Sequence, residues 1–169
     1  ESTTQDDPLV RPTHAGAVRG IETAYATWAW LGIPYAKPPV GDLRWRAPRD
    51  PDPWDGIRST QGFCSYCVQY GNYLSETGPE TLGTLVGDGV PTGSEDCLYL
   101  NLWRPRSDAT KLPVYVFIYG GGNILGRSDL SIYDGARFAA RNNMIFLTMN
   151  YRLGYFGWFW HPALKDGDD

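Results

Sequence analysis

The 169-residue sequence lacks an excess of positive charge, lacks any long apolar run, and contains few cysteines and histidines. Its 15 Lys and Arg residues are outnumbered by 19 Asp and Glu residues, so no basic stripe is available to neutralise a phosphate backbone. Nucleic acid is therefore not an expected partner. The longest apolar runs are about as long as VYVFIY, far short of the roughly 20 residues of a membrane-spanning helix, so no membrane span is expected.

The composition indicates one globular core, because 42% of the residues are hydrophobic and 14% are aromatic. Residues 1–60 are rich in proline and tryptophan, which predicts short strands and tight loops. Residues 70–96 are polar and rich in glycine, which predicts a long surface loop.

From Leu98 onward, strand and helix patterns alternate. CLYLNLW (97–103) alternates leucine with other residues and predicts a half-buried strand, whereas VYVFIY (114–119) and MIFLTMN (144–150) predict strands covered on both faces. The segment between them, IYDGARFAARNN (132–143), has a helical composition. A strand, a helix and a strand at this spacing predict a right-handed crossover and a parallel pair, hence an α/β fold.

The predicted sheet is unfinished, because no second crossover helix follows Tyr151. An aromatic cluster near the last residues also needs a partner to cover it: Tyr155, Phe156, Trp158, Phe159 and Trp160. We therefore expect a further polypeptide to complete this fold.

Cysteine usage leaves two interpretations open. In an oxidising compartment two of Cys64, Cys67 and Cys97 would pair, and the third would be a free thiol or a link to another chain. In a reducing compartment all three would be core thiols. CSYC at 64–67 also matches half of a redox or zinc site, but no helix follows and no second ligand pair exists.

Three glycines, Gly120 to Gly122, follow the VYVFIY strand. Successive glycines can turn adjacent N–H groups toward one point and bind an anion there. If the anion is a phosphate, GGNILGRS (121–128) approximates a P-loop, but Arg127 stands in place of the lysine and Gly135 interrupts the expected helix. If it is the oxyanion of an acyl-transfer intermediate, the loop is of the HGGG type. A third possibility is a glycine turn that only packs closely.

Four segments in order resemble the type-B carboxylesterase and cholinesterase group of α/β-hydrolases: GIPYAKPPVGDLRWRAP, SEDCLYLNLWRP, PVYVFIYGGGN and NYRLGYFG. The resemblance implies that residues 1–169 are the N-terminal segment of a single catalytic domain. It also implies antiparallel N-terminal strands that lead into a mostly parallel sheet, completed by a second polypeptide.

The resemblance assigns the oxyanion-donating, catalytic N–H groups to Gly121 and Gly122. It places Tyr119, Gly120 and Asn123 at the substrate-binding site, where Gly120 permits the turn. The Asn123 amide would hydrogen-bond either a substrate or its own loop.

Scaffold roles follow from the same resemblance. It pairs Cys67 with Cys97 in a disulfide worth about 3 to 4 kcal/mol by loop-closure entropy, and Cys64 would then be free or linked to the missing chain. Arg44 and Glu95 match a structural ion pair, and no metal or cofactor is implied.

The catalytic serine, its acid and its histidine are absent. The sequence contains no G-x-S-x-G, and its two histidines, His14 and His161, do not stand where the base of the family would. The resemblance therefore implies a partner, the C-terminal polypeptide of the same precursor, that carries the nucleophile, acid and base. Residues 80–93 contain no aromatic residue, which favours a general carboxylesterase acting on a small ester over quaternary-ammonium recognition. We expect a secreted or periplasmic protein, and the alternative is a non-catalytic, cholinesterase-like adhesion domain.

Overall fold

The computed structural model describes residues 7–70 and 90–164. Three sheets and two α-helices make up the regular structure of these residues. The strands are β1 Val10–Pro12, β2 Ala17–Arg19, β3 Ile21–Glu22, β4 Thr27–Pro34, β5 Ile57–Ser59, β6 Gln69–Tyr70, β7 Pro91–Thr92, β8 Tyr99–Pro105, β9 Val114–Phe117 and β10 Ile145–Met149. The helices are α1 Ala136–Asn142 and α2 Gly154–Trp158, and short 3-10 turns lie at Gly41–Leu43, Ser131–Tyr133 and Pro162–Leu164.

The main sheet has the strand order β3-β4-β8-β10-β9. Its first three pairings are antiparallel, and β10 pairs with β9 in parallel, with Ile145 opposite Val114. Helix α1 connects the two parallel strands, so the predicted strand–helix–strand crossover is confirmed. Antiparallel strands thus lead into the first parallel pair of an α/β sheet.

Helix α1 covers one face of this sheet. Ala136 and Ala139 are buried against Trp103 and Phe146, which lie opposite each other on β8 and β10. The residue before the helix is Gly135, and a larger residue would not fit there, because a Cβ would lie 2.2 Å from the Phe146 ring. Small residues thus let the helix approach the aromatic face closely.

The other face of the sheet differs from the prediction of strands covered on both sides. On β9, Val114 and Val116 are 55% and 49% exposed, and β9 is the edge strand. On the neighbouring strands, Leu102 and Leu147 pair on this same face and are only partly buried. The prediction of burial on both faces was wrong for Val114, Val116 and Leu147, because the described part of the chain places no helix over this apolar face.

The N-terminal third contains short strands and tight loops, as its proline and tryptophan content predicts. Strands β1, β2 and β5 form a small separate sheet. Most of the predicted long loop, residues 71–89, lies outside the described residues, and its two ends join in the β6–β7 pair. No described helix has the length and apolarity needed to cross a membrane.

Candidate oxyanion-binding site

The loop after β9 is built around Gly121. Its φ is +144°, and a Cβ at this position would lie 1.9 Å from the Leu125 carbonyl oxygen. The Gly121 carbonyl accepts hydrogen bonds from the N–H groups of Ile124 and Leu125, at 3.1 and 3.2 Å. The chain therefore turns back on itself so tightly that only glycine fits at this position.

The N–H groups at the start of the turn lack acceptors in the described residues. Within residues 7–70 and 90–164, neither the Gly121 N–H nor the Gly122 N–H donates to a carbonyl or a side chain. Gly122 is exposed, with φ +61°, and a Cβ there would meet only one distant side-chain atom. Unpaired backbone donors at an accessible glycine turn can receive an anion.

An open cleft of about 460 Å³ lies beside these donors. Gly122, Asn123, Ile124, Gly154, Tyr155 and Trp158 line the cleft. The Asn123 backbone carbonyl accepts from the Gly154 N–H at 2.7 Å, which joins the glycine loop to the start of α2. Among the described residues, the Asn123 side-chain amide makes no hydrogen bond to its own loop, so the substrate-facing alternative remains for it.

Tyr119 lies in the core and not in the cleft. Its side chain is 2% exposed and stacks on Tyr151 with 4.6 Å between ring centroids. The Tyr151 hydroxyl donates to the Tyr119 carbonyl at 2.7 Å, and burial raises the pKa of Tyr119 well above its ordinary value. The contact between Tyr119 and a substrate therefore stays a prediction. In the structure the Tyr119 ring packs in the core against Gly126 of the glycine loop.

The phosphate-binding alternative does not fit the segment that follows. Ser128 is 2% exposed, its N–H donates to the Asn150 side chain, and its hydroxyl accepts from Asn101. Arg127 pairs with Asp129 through two hydrogen bonds. Neither residue is therefore turned toward a phosphate, and no helix begins at Ser128.

The cysteines form the Cys67–Cys97 disulfide, and Cys64 is a free thiol. Since Cys67 is in the disulfide, the redox and zinc interpretations of CSYC do not hold. Burial raises the pKa of the Cys64 thiol. Within the described ranges, no group of three His, Cys, Asp or Glu side chains could hold a metal ion.

Two arginines hold the scaffold near the cleft. Arg44 donates from Nε and Nη2 to the two carboxylate oxygens of Glu95, and this bidentate bond raises the pKa of Arg44. Arg152 donates from Nη1 to the Arg46 carbonyl at 3.0 Å, and burial lowers its pKa. Both guanidinium groups are engaged within the scaffold, so neither is assigned to chemistry.

Sequence reasoning missed Gln69, which lies two residues after Cys67. Its side-chain amide is buried at 7% residue exposure and makes two hydrogen bonds to Gly126, at the far end of the glycine loop. The only local signal was a polar residue directly before a predicted loop, and such a residue is ordinarily solvated.

Comparison with known proteins decides the family. The model of the carboxylesterase family matches residues 7–165. The chain belongs to this family. It is 43% identical over 163 residues to the fumonisin B1 esterase of Sphingopyxis macrogoltabida, an alignment that covers 96% of this chain and 28% of that protein. It is 41% identical over 145 residues to the para-nitrobenzyl esterase of Bacillus subtilis (strain 168), covering 86% of this chain and 28% of that protein.

Solved structures agree with this family and identify the fold. A PNB esterase superposes with a TM-score of 0.80 at 37% identity, covering 92% of this chain and 30% of that chain. The fold is therefore the N-terminal part of an α/β-hydrolase, as the ordered sequence segments predicted. The chain spans less than a third of the length of these relatives.

Proposed function

We propose that this chain is the oxyanion-binding segment of a serine carboxylic ester hydrolase. The observation that carries the proposal is the glycine turn: among the described residues the N–H groups of Gly121 and Gly122 have no acceptor, and Gly122 lines an open cleft. In acyl transfer such donors stabilise the charge that develops on the carbonyl oxygen, and losing one donor typically costs about 3 kcal/mol in the transition state. Family membership supports ester hydrolysis as the reaction class.

The nucleophile, the acid and the base come from polypeptide outside these 169 residues, which contain no G-x-S-x-G. The serine attacks the ester carbonyl to form an acyl-enzyme, the histidine takes and returns the proton, and water then releases the acid. This polypeptide is either a second chain from the same precursor or a continuation of this one. The apolar sheet face at Val114 and Val116, together with the exposed rings of Tyr155, Trp158 and Trp160, supports the proposal because such surfaces are normally covered.

The substrate is a small carboxylic ester with an apolar portion. Ile124, Tyr155 and Trp158 line the cleft with apolar and aromatic surface, and Asn123 adds an amide beside the glycines. The segment 80–89, which lacks aromatic residues in the sequence, lies outside the described residues. No cofactor enters the proposed reaction.

We also propose an oxidising compartment, secreted or periplasmic. The Cys67–Cys97 disulfide supports this location, because structural disulfides persist mainly outside the reducing cytosol. The non-catalytic adhesion alternative is not favoured, because the matched relatives named above are called esterases.

A tagged fluorophosphonate tests the proposal. The protein is labelled, then separated under reducing and denaturing conditions, and the labelled peptide is identified by mass spectrometry. We expect the label on a serine in a G-x-S-x-G sequence outside residues 1–169, and the mass of the labelled polypeptide distinguishes one continuous chain from two. Failure of folded protein to label at any serine would refute the hydrolase proposal.

A further inference from the structure

The buried amide of Gln69 holds one end of the glycine loop by two hydrogen bonds. The Gly126 N–H donates to Oε1 of Gln69 at 2.9 Å, and Nε2 of Gln69 donates to the Gly126 carbonyl at 2.8 Å. This arrangement satisfies both backbone groups of Gly126 with one side chain. A side chain that loses either function would leave a buried polar group without a partner.

Gly126 is in turn packed against the residues that begin the loop. A Cβ at Gly126 would lie 2.5 Å from the Tyr119 ring and 3.0 Å from the Gly120 carbonyl oxygen, so the two ends of the loop touch. Between them, the Gly121 carbonyl accepts from Ile124 and Leu125. Fixing Gly126 therefore fixes the arc that carries the Gly121 and Gly122 donors.

Gln69 is itself anchored to rigid structure. Its Nε2 also donates to the Cys67 carbonyl at 3.1 Å, and Cys67 is bonded covalently to Cys97, two residues before β8. Its backbone pairs with Thr92 in the β6–β7 ladder. The amide thus transmits the position of the disulfide and the sheet to the loop.

From these contacts we propose that Gln69 is a positioning residue for the oxyanion donors. The proposal rests on the proposed ester hydrolysis and deepens it, because Gln69 does not line the cleft and acts through its contacts with the loop. A donor stabilises an oxyanion only within narrow distance limits, and a displacement of about 1 Å can reduce a rate about 100-fold. The predicted effect falls on the transition state and not on the bound ester.

The test uses the full-length protein with Gln69→Leu, which removes both amide functions, and Gln69→Glu, which keeps the acceptor for the Gly126 N–H. Gln61→Leu is the control, because Gln61 is exposed and, within the described part of the chain, its amide donates only to the Gly20 carbonyl, at 3.3 Å. With a p-nitrophenyl ester, we expect kcat of Gln69→Leu to fall about 10- to 100-fold with KM within about twofold. Affinity for a trifluoromethyl ketone, a transition-state mimic, should fall by the same factor as kcat/KM. Gln61→Leu should match the parent protein.

Backbone hydrogen exchange gives a readout that does not depend on activity. Peptides covering residues 119–126 should exchange faster in Gln69→Leu than in Gln61→Leu. Unchanged kcat in folded Gln69→Leu, or a rise in KM with kcat kept, overturns the positioning role. If Gln69→Leu does not fold, Gln69→Glu carries the same test, because its carboxylate faces the Gly126 and Cys67 carbonyls. If the parent protein neither hydrolyses esters nor takes the fluorophosphonate, the proposed function fails, and exchange alone then decides whether Gln69 holds the loop.

Discussion

Replacing Gly121 by alanine perturbs the candidate site with a single methyl group. The added Cβ would lie 1.9 Å from the Leu125 carbonyl oxygen, whereas ordinary contacts of such an atom begin near 3.4 Å. The obstructing atom belongs to the backbone, so it cannot rotate away as a side chain would. Gly121 also has φ +144°, which alanine rarely adopts.

The expected loss of stability combines these two effects. Overpacking of this kind costs about 1 to 3 kcal/mol, and a strained backbone conformation costs about 1 to 3 kcal/mol more. Gly122→Ala carries only the conformational strain of φ +61°, about 1 to 2 kcal/mol, because nothing crowds the new methyl group. Gly120→Ala has open space and carries neither penalty, so it serves as the stability control. The order of destabilisation should be Gly121, then Gly122, then Gly120.

Urea unfolding of the three full-length variants measures this order. For activity, the Gly121→Ala loop must move its N–H away from the cleft, so kcat for a p-nitrophenyl ester should fall about 100- to 1,000-fold, as for loss of an oxyanion donor. The reasoning is refuted if Gly121→Ala unfolds at the same urea concentration as Gly120→Ala. It is equally refuted if folded Gly121→Ala retains the parent kcat.

Three further outcomes test the scaffold. Replacing Cys67 and Cys97 together by alanine should lower the free energy of unfolding by about 3.6 kcal/mol, from loop-closure entropy over a separation of 30 residues; urea unfolding measures this, and reductant should destabilise the parent protein but not the double variant. Since burial raises the pKa of the Cys64 thiol, iodoacetamide at pH 8 should label it more slowly than a free cysteine peptide, with Cys64→Ser as the unlabelled control; labelling as fast as the peptide would contradict this. Burial raises the pKa of Tyr35 to about 12, above the 10.0 of an exposed tyrosine, so the contribution of the neutral Tyr35 to stability is complete below pH 10 and is lost as the pH rises toward 12. Melting temperatures from pH 9 to 12 should therefore fall more steeply for the parent protein than for Tyr35→Phe. Equal slopes for the two proteins would contradict a raised Tyr35 pKa.

Local sequence patterns predicted the elements that depend on neighbouring residues. The apolar run before the glycines became β9, the run after Asn143 became β10, and the helical segment between them became α1. These predictions succeeded because the apolar patterns of strands and helices are determined by residues that are close together in sequence. The glycine turn was also predictable, because three successive glycines after an apolar strand permit backbone conformations that other residues rarely adopt.

The buried face of β8 was not predictable from its alternation. Leu100 and Leu102 are only half-buried, whereas Asn101 and Trp103 on the opposite face are 3% and 2% exposed. Burial of the polar Asn101 side chain is stable because its hydrogen-bonding groups have partners. Its Oδ1 accepts from the Gly32 N–H, and its Nδ2 donates to the hydroxyls of Ser128 and Thr148. Those partners are distant in sequence, so the alternation predicted a half-buried strand without identifying which side is buried. The role of Gln69 was hidden for the same reason, because its partner Gly126 is 57 positions away.

The exposed face of β9 has a different cause. A continuous apolar strand is typical of burial on both sides in the complete domain. In the described residues only α1 covers the sheet, and Val114 and Val116 remain about half exposed on the edge strand. The apolar sequence of β9 therefore predicts burial at an edge of the sheet where the structure shows exposure. Apolar rings are likewise exposed near the candidate cleft, at Tyr155, Trp158 and Trp160, which are 82%, 62% and 72% exposed. The proposed function offers one cause for both surfaces: we propose that polypeptide outside these residues covers the sheet face, closes the cleft and brings the nucleophile to Gly121 and Gly122.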